Sequence, residues 1–236
     1  MKPQYKFVKP AKPASFTAEY DDYITRFNVI GAKAWLGQVK DKIGFKRGDI
    51  KKRDEIKNKI KEQLSVSQEE YCYYCGRSFD FFGPQDTQLS SIHIDHFLPK
   101  NDEGGNYGKY VFEMKNLVLA CFTCNKFDVK GNKDFSLNPN LPYSDMAFSI
   151  VHPHLEDIND HLLINEENGV VEMIHENTDK AELMISTFGI NHEFIVLNRL
   201  GSIEALKKQL KKKQEDEIDS FMESIPIGGI VSKSII

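Results

Sequence analysis

The sequence predicts an α+β protein: mainly helical flanks around a short, loop-rich middle stapled by four cysteines. Three observations lead there. The first 65 residues carry helical periodicity and no strand pattern. All four cysteines fall in the middle, as two Cys-x-x-Cys pairs among aromatics, glycines and short apolar runs. Residues beyond about 145 mix short strand-like runs with two helical stretches. Three regions follow: residues 1–70, helical behind an extended arm; 71–140, the cysteine module; and 141–236, an α+β region ending in helix.

Taken in order, residues 1–15 carry three prolines and little periodicity, so an extended arm is expected. TAEYDDYITRFNV, residues 17–29, reads as a helix with Thr17 as its N-cap. KAWLGQVKDKI continues helical after Gly31, with Trp35, the single tryptophan, as core. DIKKRDEIKNKIKEQL is the clearest helix of this half. Ile56, Ile60 and Leu64 recur every four residues with lysines between them, which puts one apolar face on the interior. In the last region AFSIVHP and HLLINEENGVVEMI read as strands, the second turning at Asn168-Gly169. DKAELMISTFGI and HEFIVLNRLGSIEALKKQLKKKQEDEIDSFMESI read as helices. The tail PIGGIVSKSII shows no period.

The chain of 236 residues is long enough to bury a core without disulfides. The amino-terminal MKPQYKFVKPAKPASF lacks the apolar stretch of a secretory leader. No run of about 18 apolar residues is present. A cytoplasmic protein is the expectation. The net charge of -4 argues against a free-standing nucleic-acid binder, which usually carries a basic surplus. The charge is uneven, however. Residues 33–62 hold eleven Lys/Arg against five Asp/Glu, and residues 145–182 hold ten Asp/Glu against one lysine. Such a division either orients a polyanion or reflects two solvated helix faces.

In a cytoplasmic chain, Cys72-x-x-Cys75 and Cys121-x-x-Cys124 read as a zinc site rather than as disulfides. Four thiolates suit tetrahedral Zn²⁺ and leave no open position, so this zinc is expected to be structural. It would clamp the ends of a 45-residue insert and replace core that so small a module lacks.

The insert contains HIDHFLPK, then NDEGGNYGKYVFEMKNLVLAC, then CNKFDVKGNKD. The order Cys-x-x-Cys, Asp-His-x-x-Pro, Gly-Gly, Asn-Leu-Val, Cys-x-x-Cys-Asn, Lys-Gly resembles the HNH endonucleases of the ββα-metal fold, with His96, Asn116 and Asn125 as the three letters. Phosphodiester hydrolysis needs an activated water and charge stabilisation at the phosphate and leaving oxygen. An unperturbed histidine, with a pKa of about 6.5, accepts a proton near neutrality. A hard divalent cation suits the leaving oxygen and prefers oxygen donors such as Asp95 and Asn125. The resemblance implies His96 as general base, Asp95 and Asn125 as ligands of Mg²⁺ or Mn²⁺, and Asn116 as a brace for the loop that positions His96. Lys126, Lys130 and Lys133 could touch phosphates or simply form a solvated face.

Strand geometry leaves one alternative open. Neighbours on a regular strand point to opposite faces, so a straight strand would pair His93, not His96, with Asp95. Pro99 fits a strand ending nearby.

The flanks, through HFLPK and FGINHEFIVLNR, resemble the nuclease subunits of Septu and retron-associated anti-phage systems. That resemblance implies a nucleic-acid substrate and a partner ATPase of the ABC/SMC type. Ile203, Leu206, Leu210 and Ile218 of the last helix serve as either core or docking face. The remaining histidines, His152, His154, His161, His175 and His192, read as structural or solvated. Two rival readings stand beside this one: a nuclease of homing or restriction type acting alone, and a non-catalytic zinc-dependent binding module.

Overall fold

The computed structural model describes residues 5–38, 45–79, 92–100, 107–174 and 179–224. The end of KAWLGQVKDKI, the Gly104-Gly105 pair, His175 and the tail PIGGIVSKSII lie outside the described residues.

Three helices open the chain: α1 (Ala18–Ile30), α2 (Ala32–Leu36) and α3 (Arg47–Ser67). Thr17 stands at the N-cap of α1 as its sequence position suggests, but its hydroxyl makes no capping bond. At the start of α3, Asp49 accepts the Lys46 backbone N–H at 2.8 Å, relieving an unpaired helix-end donor. The other Asp49 oxygen pairs with Arg26 of α1, which ties the two helices together. Ile56, Ile60 and Leu64 are fully buried, as their period requires. Each contributes about 1.5–3 kcal/mol of apolar burial.

The middle folds as an antiparallel hairpin, β1 (Ile92–His96) and β2 (Leu117–Cys121), followed by the short helix α4 (Phe122–Asn125). The register runs regularly from Ile92↔Cys121 to His96↔Leu117. All five β2 residues are buried, so its outer edge needs partners. The Gln68 carboxamide supplies them, donating to the Leu119 carbonyl at 3.0 Å and accepting the Leu119 N–H at 2.8 Å. A polar residue at the end of α3 thus stands in for a third strand.

The last region holds a second hairpin, β3 (Leu162–Ile164) with β4 (Val171–Met173), and the helices α5 (Asp179–Phe188) and α6 (Glu193–Ser224). Gly169 takes a positive φ of 69°, consistent with the Asn-Gly turn. AFSIVHP departs from its expectation. Phe148, Ile150 and Val151 are buried, but the stretch makes only an isolated bridge, Ser136↔Phe148, and forms no strand. Its apolar character comes from the core rather than from sheet pairing.

One apolar cluster runs through all three regions, joining Phe27 and Ile60 to Phe97 and Leu119 and to Phe148, Phe188 and Ile203. The amino-terminal arm is part of it: Tyr5 and Phe7 are buried, and the Tyr5 hydroxyl donates to the Gly76 carbonyl at 3.0 Å. Of the apolar positions on α6, Ile203 is buried and Ile218 is exposed. At about 1.5 Å per residue the 32-residue helix spans about 48 Å. Residues 211–218 are exposed on every side. No described helix is long and apolar enough to cross a membrane.

Candidate active site

The cysteines come together first. Cys72 and Cys75 lie on the loop after α3, Cys121 ends β2 and Cys124 lies in α4, so the hairpin closes the loop onto the helix. All four are buried, their sulfurs lie within 4.8 Å of one another, and no disulfide joins them. A tetrahedral ion with bonds of about 2.3 Å sets sulfur–sulfur separations of about 3.8 Å. Cys75 Sγ and Cys121 Sγ stand 3.9 Å apart. The donor set therefore fits a structural ion such as Zn²⁺. The backbone supports thiolates here, with the Cys121 N–H directed at Cys72 Sγ (3.3 Å) and the Cys124 N–H at Cys121 Sγ (3.5 Å). Arg77 and Arg199 are buried beside them, and each guanidinium feels the charge of the cluster. Gly76 takes a φ of 67°, and a Cβ there would meet Ile164 and Phe7 at 3.1 Å. Glycine is what lets the arm and the second hairpin close over the knuckle.

The Asp95-His96 step lies at the end of β1. His96 is 3% exposed at the end of the strand. Its Nε2 is 3.0 Å from the Val111 carbonyl. A carbonyl only accepts, so Nε2 carries the hydrogen and Nδ1 keeps its lone pair. Trp35 of α2 meets the ring edge-on at a centroid distance of 4.3 Å. Burial and the Lys100 charge hold His96 well below the usual histidine range, against the opposing Val111 bond, and Lys130 and Lys57 push the same way. The imidazole is neutral and held in one tautomer, the form a general base requires.

Asp95 is buried too. One carboxylate oxygen accepts from the Tyr74 hydroxyl at 2.6 Å, and the other lies 3.4 Å from Lys130 Nζ. Tyr74 sits between the first two cysteines, so the metal knuckle positions this carboxylate directly. Lys130 Nζ also donates to the His96 carbonyl at 2.6 Å. With its side chain 1% exposed, Lys130 ties Asp95 to His96 from inside and does not face a phosphate. Lys126 pairs with Asp128 at the surface, and the exposed Lys133 donates to the Val129 carbonyl.

Asn116 is buried at the turn that follows β1 and is hydrogen-bonded on both sides of it. Its Oδ1 accepts the Leu98 N–H at 2.7 Å, its Nδ2 donates to the Tyr110 carbonyl at 3.0 Å, and its own carbonyl accepts the Phe97 N–H at 2.8 Å. These bonds fix the chain on both sides of the turn that ends β1, beside the Val111 carbonyl that holds His96. Asn125 ends α4, beside β1. Its carboxamide contacts His93 Nδ1 at 3.1 Å. The unbroken ladder keeps His93 and Asp95 on one strand face and turns His96 to the other.

Two further lysines surround the site without having been singled out in the sequence. Lys57 of α3 lies 4.5 Å over the Trp35 ring, and its charge reaches His96. Lys57 and Lys100 are both held below the ordinary lysine range, first by burial and then by neighbouring positive charge. The basic segment 33–62 thus presents part of its charge to the site. No local pattern distinguishes Lys57 from the other lysines of α3; only the fold does.

The strand–strand–helix order, the four-cysteine closure and the Asp95-His96 step lie in one continuous stretch. Residues 72–127 match an HNH endonuclease domain. The match takes in both cysteine pairs, Asp95, His96, Asn116 and Asn125, and stops short of Lys130 and everything beyond it. No curated protein matches the chain. Trp35, which packs against His96, and Lys57, whose charge reaches it, lie outside the matched residues.

Proposed function

We propose that the protein is a metal-dependent endonuclease that hydrolyses nucleic-acid phosphodiesters, DNA by default and RNA as the alternative substrate. The observation that carries this is the single tautomer of His96, whose Nε2 is engaged and whose Nδ1 lone pair remains for a water proton. The surrounding Lys57 and Lys100 charges favour an incoming phosphate, and together with Lys130 they disfavour protonation of the ring. In this reading His96 Nδ1 takes the proton from the attacking water. Lys57 and Lys100 draw and orient the phosphate. Asp95 and Asn125 would hold a Mg²⁺ or Mn²⁺ ion, which would supply charge stabilisation at the leaving oxygen. Tyr74 and Lys130 keep the Asp95 carboxylate in place.

The role in anti-phage defence and the ABC/SMC-type ATPase partner are proposals that rest on the sequence resemblance carried by HFLPK and FGINHEFIVLNR. The exposed distal part of α6 is the segment best suited to such docking. Incubation of the purified chain with supercoiled DNA and structured RNA, with added Mg²⁺ or Mn²⁺, tests the catalytic reading. Cleavage by the wild type and its loss in His96→Ala at unchanged zinc content are expected. Equal cleavage by both proteins refutes the mechanism. Co-purification from the native locus tests the partner, and isolation of the chain alone counts against it.

A further inference from the structure

The region after the HNH domain contains a hydrogen-bonded pair that reaches the catalytic loop. His152 is completely buried, packed against Phe97 and Phe148 at centroid distances of 4.7 Å. Its Nδ1 faces two backbone donors, the N–H groups of His154 (3.1 Å) and Leu155 (3.2 Å). Nδ1 must therefore accept, and the ring hydrogen lies on Nε2. Nε2 is 2.9 Å from the Tyr143 hydroxyl, which accepts it. The hydroxyl hydrogen is then left for Asn116 Oδ1 at 3.3 Å or the Lys115 carbonyl at 3.2 Å. Every donor in this chain faces an acceptor. Close by, His154 Nε2 holds the carbonyl of Leu117, the residue paired with His96 across the hairpin, at 2.9 Å.

We propose that Tyr143 and His152 are positioning residues for catalysis, acting through Asn116 on the loop that carries the Val111 carbonyl and so on the tautomer and aim of His96. The consequence is that the HNH domain of residues 72–127 is not a self-sufficient catalytic unit: the following region completes it. This inference rests on the nuclease reading for its effect on rate. Its effect on His96 is independent of that reading.

Tyr143 and His152 are both buried, and each can be altered without emptying the core. Tyr143→Phe deletes only the bridging hydroxyl. His152→Gln keeps an N–H donor toward Tyr143, whereas His152→Leu removes it. Outer partners of this kind typically influence activity by about 10–100-fold. The expected result is that Tyr143→Phe and His152→Leu lower kcat about tenfold or more, with KM within about twofold of wild type, and that His152→Gln recovers most of the rate. Nitrogen-15 NMR of the zinc-loaded full chain supplies the second readout. The wild type should show His96 as the pure Nε2–H tautomer, and Tyr143→Phe should show a mixture. An unchanged His96 signal in Tyr143→Phe overturns the proposal. So does a loss of rate that follows only lost zinc or lowered melting temperature, or equal loss in the Gln and Leu variants. If the wild type cleaves no nucleic acid, the nuclease reading fails, while the His96 tautomer still decides whether the brace exists.

Discussion

Arg199 offers a test of how the last helix is tied to the metal knuckle. It is fully buried on α6, and its guanidinium donates to three carbonyls: Cys75 at 2.8 and 3.2 Å, Ile190 at 3.0 Å, and Gly169. These acceptors belong to the knuckle, the α5–α6 junction and the second hairpin, so one side chain joins three elements. The same charge offsets the negative cluster of thiolates. Arg199→Met preserves much of the volume and removes both functions. Orphaning a buried acceptor costs about 1–3 kcal/mol, and breaking a buried charged network about 3–5 kcal/mol. Relief of the guanidinium's own desolvation keeps the sum below three separate penalties. A loss of about 3–5 kcal/mol is therefore expected. With an m-value of about 2 kcal/mol per molar, the urea midpoint falls by about 1.5–2.5 M. Zinc release to a colorimetric chelator should accelerate in parallel. Arg199→Lys keeps the charge but not the three-way fork, and should recover zinc retention more than stability. A midpoint within about 0.3 M of wild type, with unchanged zinc release, would refute the reasoning.

Other outcomes follow from the same geometry. Burial holds His152 near a pKa of about 3, while an unfolded histidine titrates near about 6.5. The unfolded chain therefore binds the extra proton, and the stability present above about pH 6.5 is lost as pH falls toward 3. This one ring accounts for about 2 kcal/mol between pH 8 and pH 5, measurable as a smaller acid dependence of urea stability in His152→Gln. Cys124→Ser should leave the chain without stoichiometric metal and expose its interior to protease, because the ion replaces core at the knuckle; retention of one zinc per chain would contradict this. Lys57→Met and Lys100→Met should weaken nucleic-acid binding and flatten its salt dependence by about one unit of slope each, read by fluorescence anisotropy across a salt series.

The parts of the fold legible in the sequence are those encoded by short-range spacing. Two Cys-x-x-Cys pairs announce the metal cluster because their ligands come in local hooks. Ile56, Ile60 and Leu64 announce a buried helix face because burial on a helix repeats at its own period. Asn168-Gly169 announces a hairpin because few residues tolerate the turn. AFSIVHP shows the limit of such reasoning. An apolar run records burial, but strand formation also needs a partner, which sequence alone does not display. The outer parts of the site share that invisibility. Trp35 reads as core and is core, yet the sequence does not say that its neighbour is His96. Lys130 resembles the other lysines of its segment until the fold buries it between Asp95 and His96. His152 and His154 look like solitary histidines in an acidic stretch, and only the packing of the last region onto the hairpin places one beside Tyr143 and the other on Leu117.

The central claim is that a neutral, tautomer-locked His96 activates water for phosphodiester hydrolysis. Its most direct measurement is single-turnover cleavage of a labelled nucleic acid by the zinc-loaded chain in Mg²⁺ or Mn²⁺, comparing wild type with His96→Ala. Cleavage is expected to require the added ion and to fall by at least about 100-fold in the variant, with zinc content and folding intact. Undiminished cleavage by folded His96→Ala would contradict it.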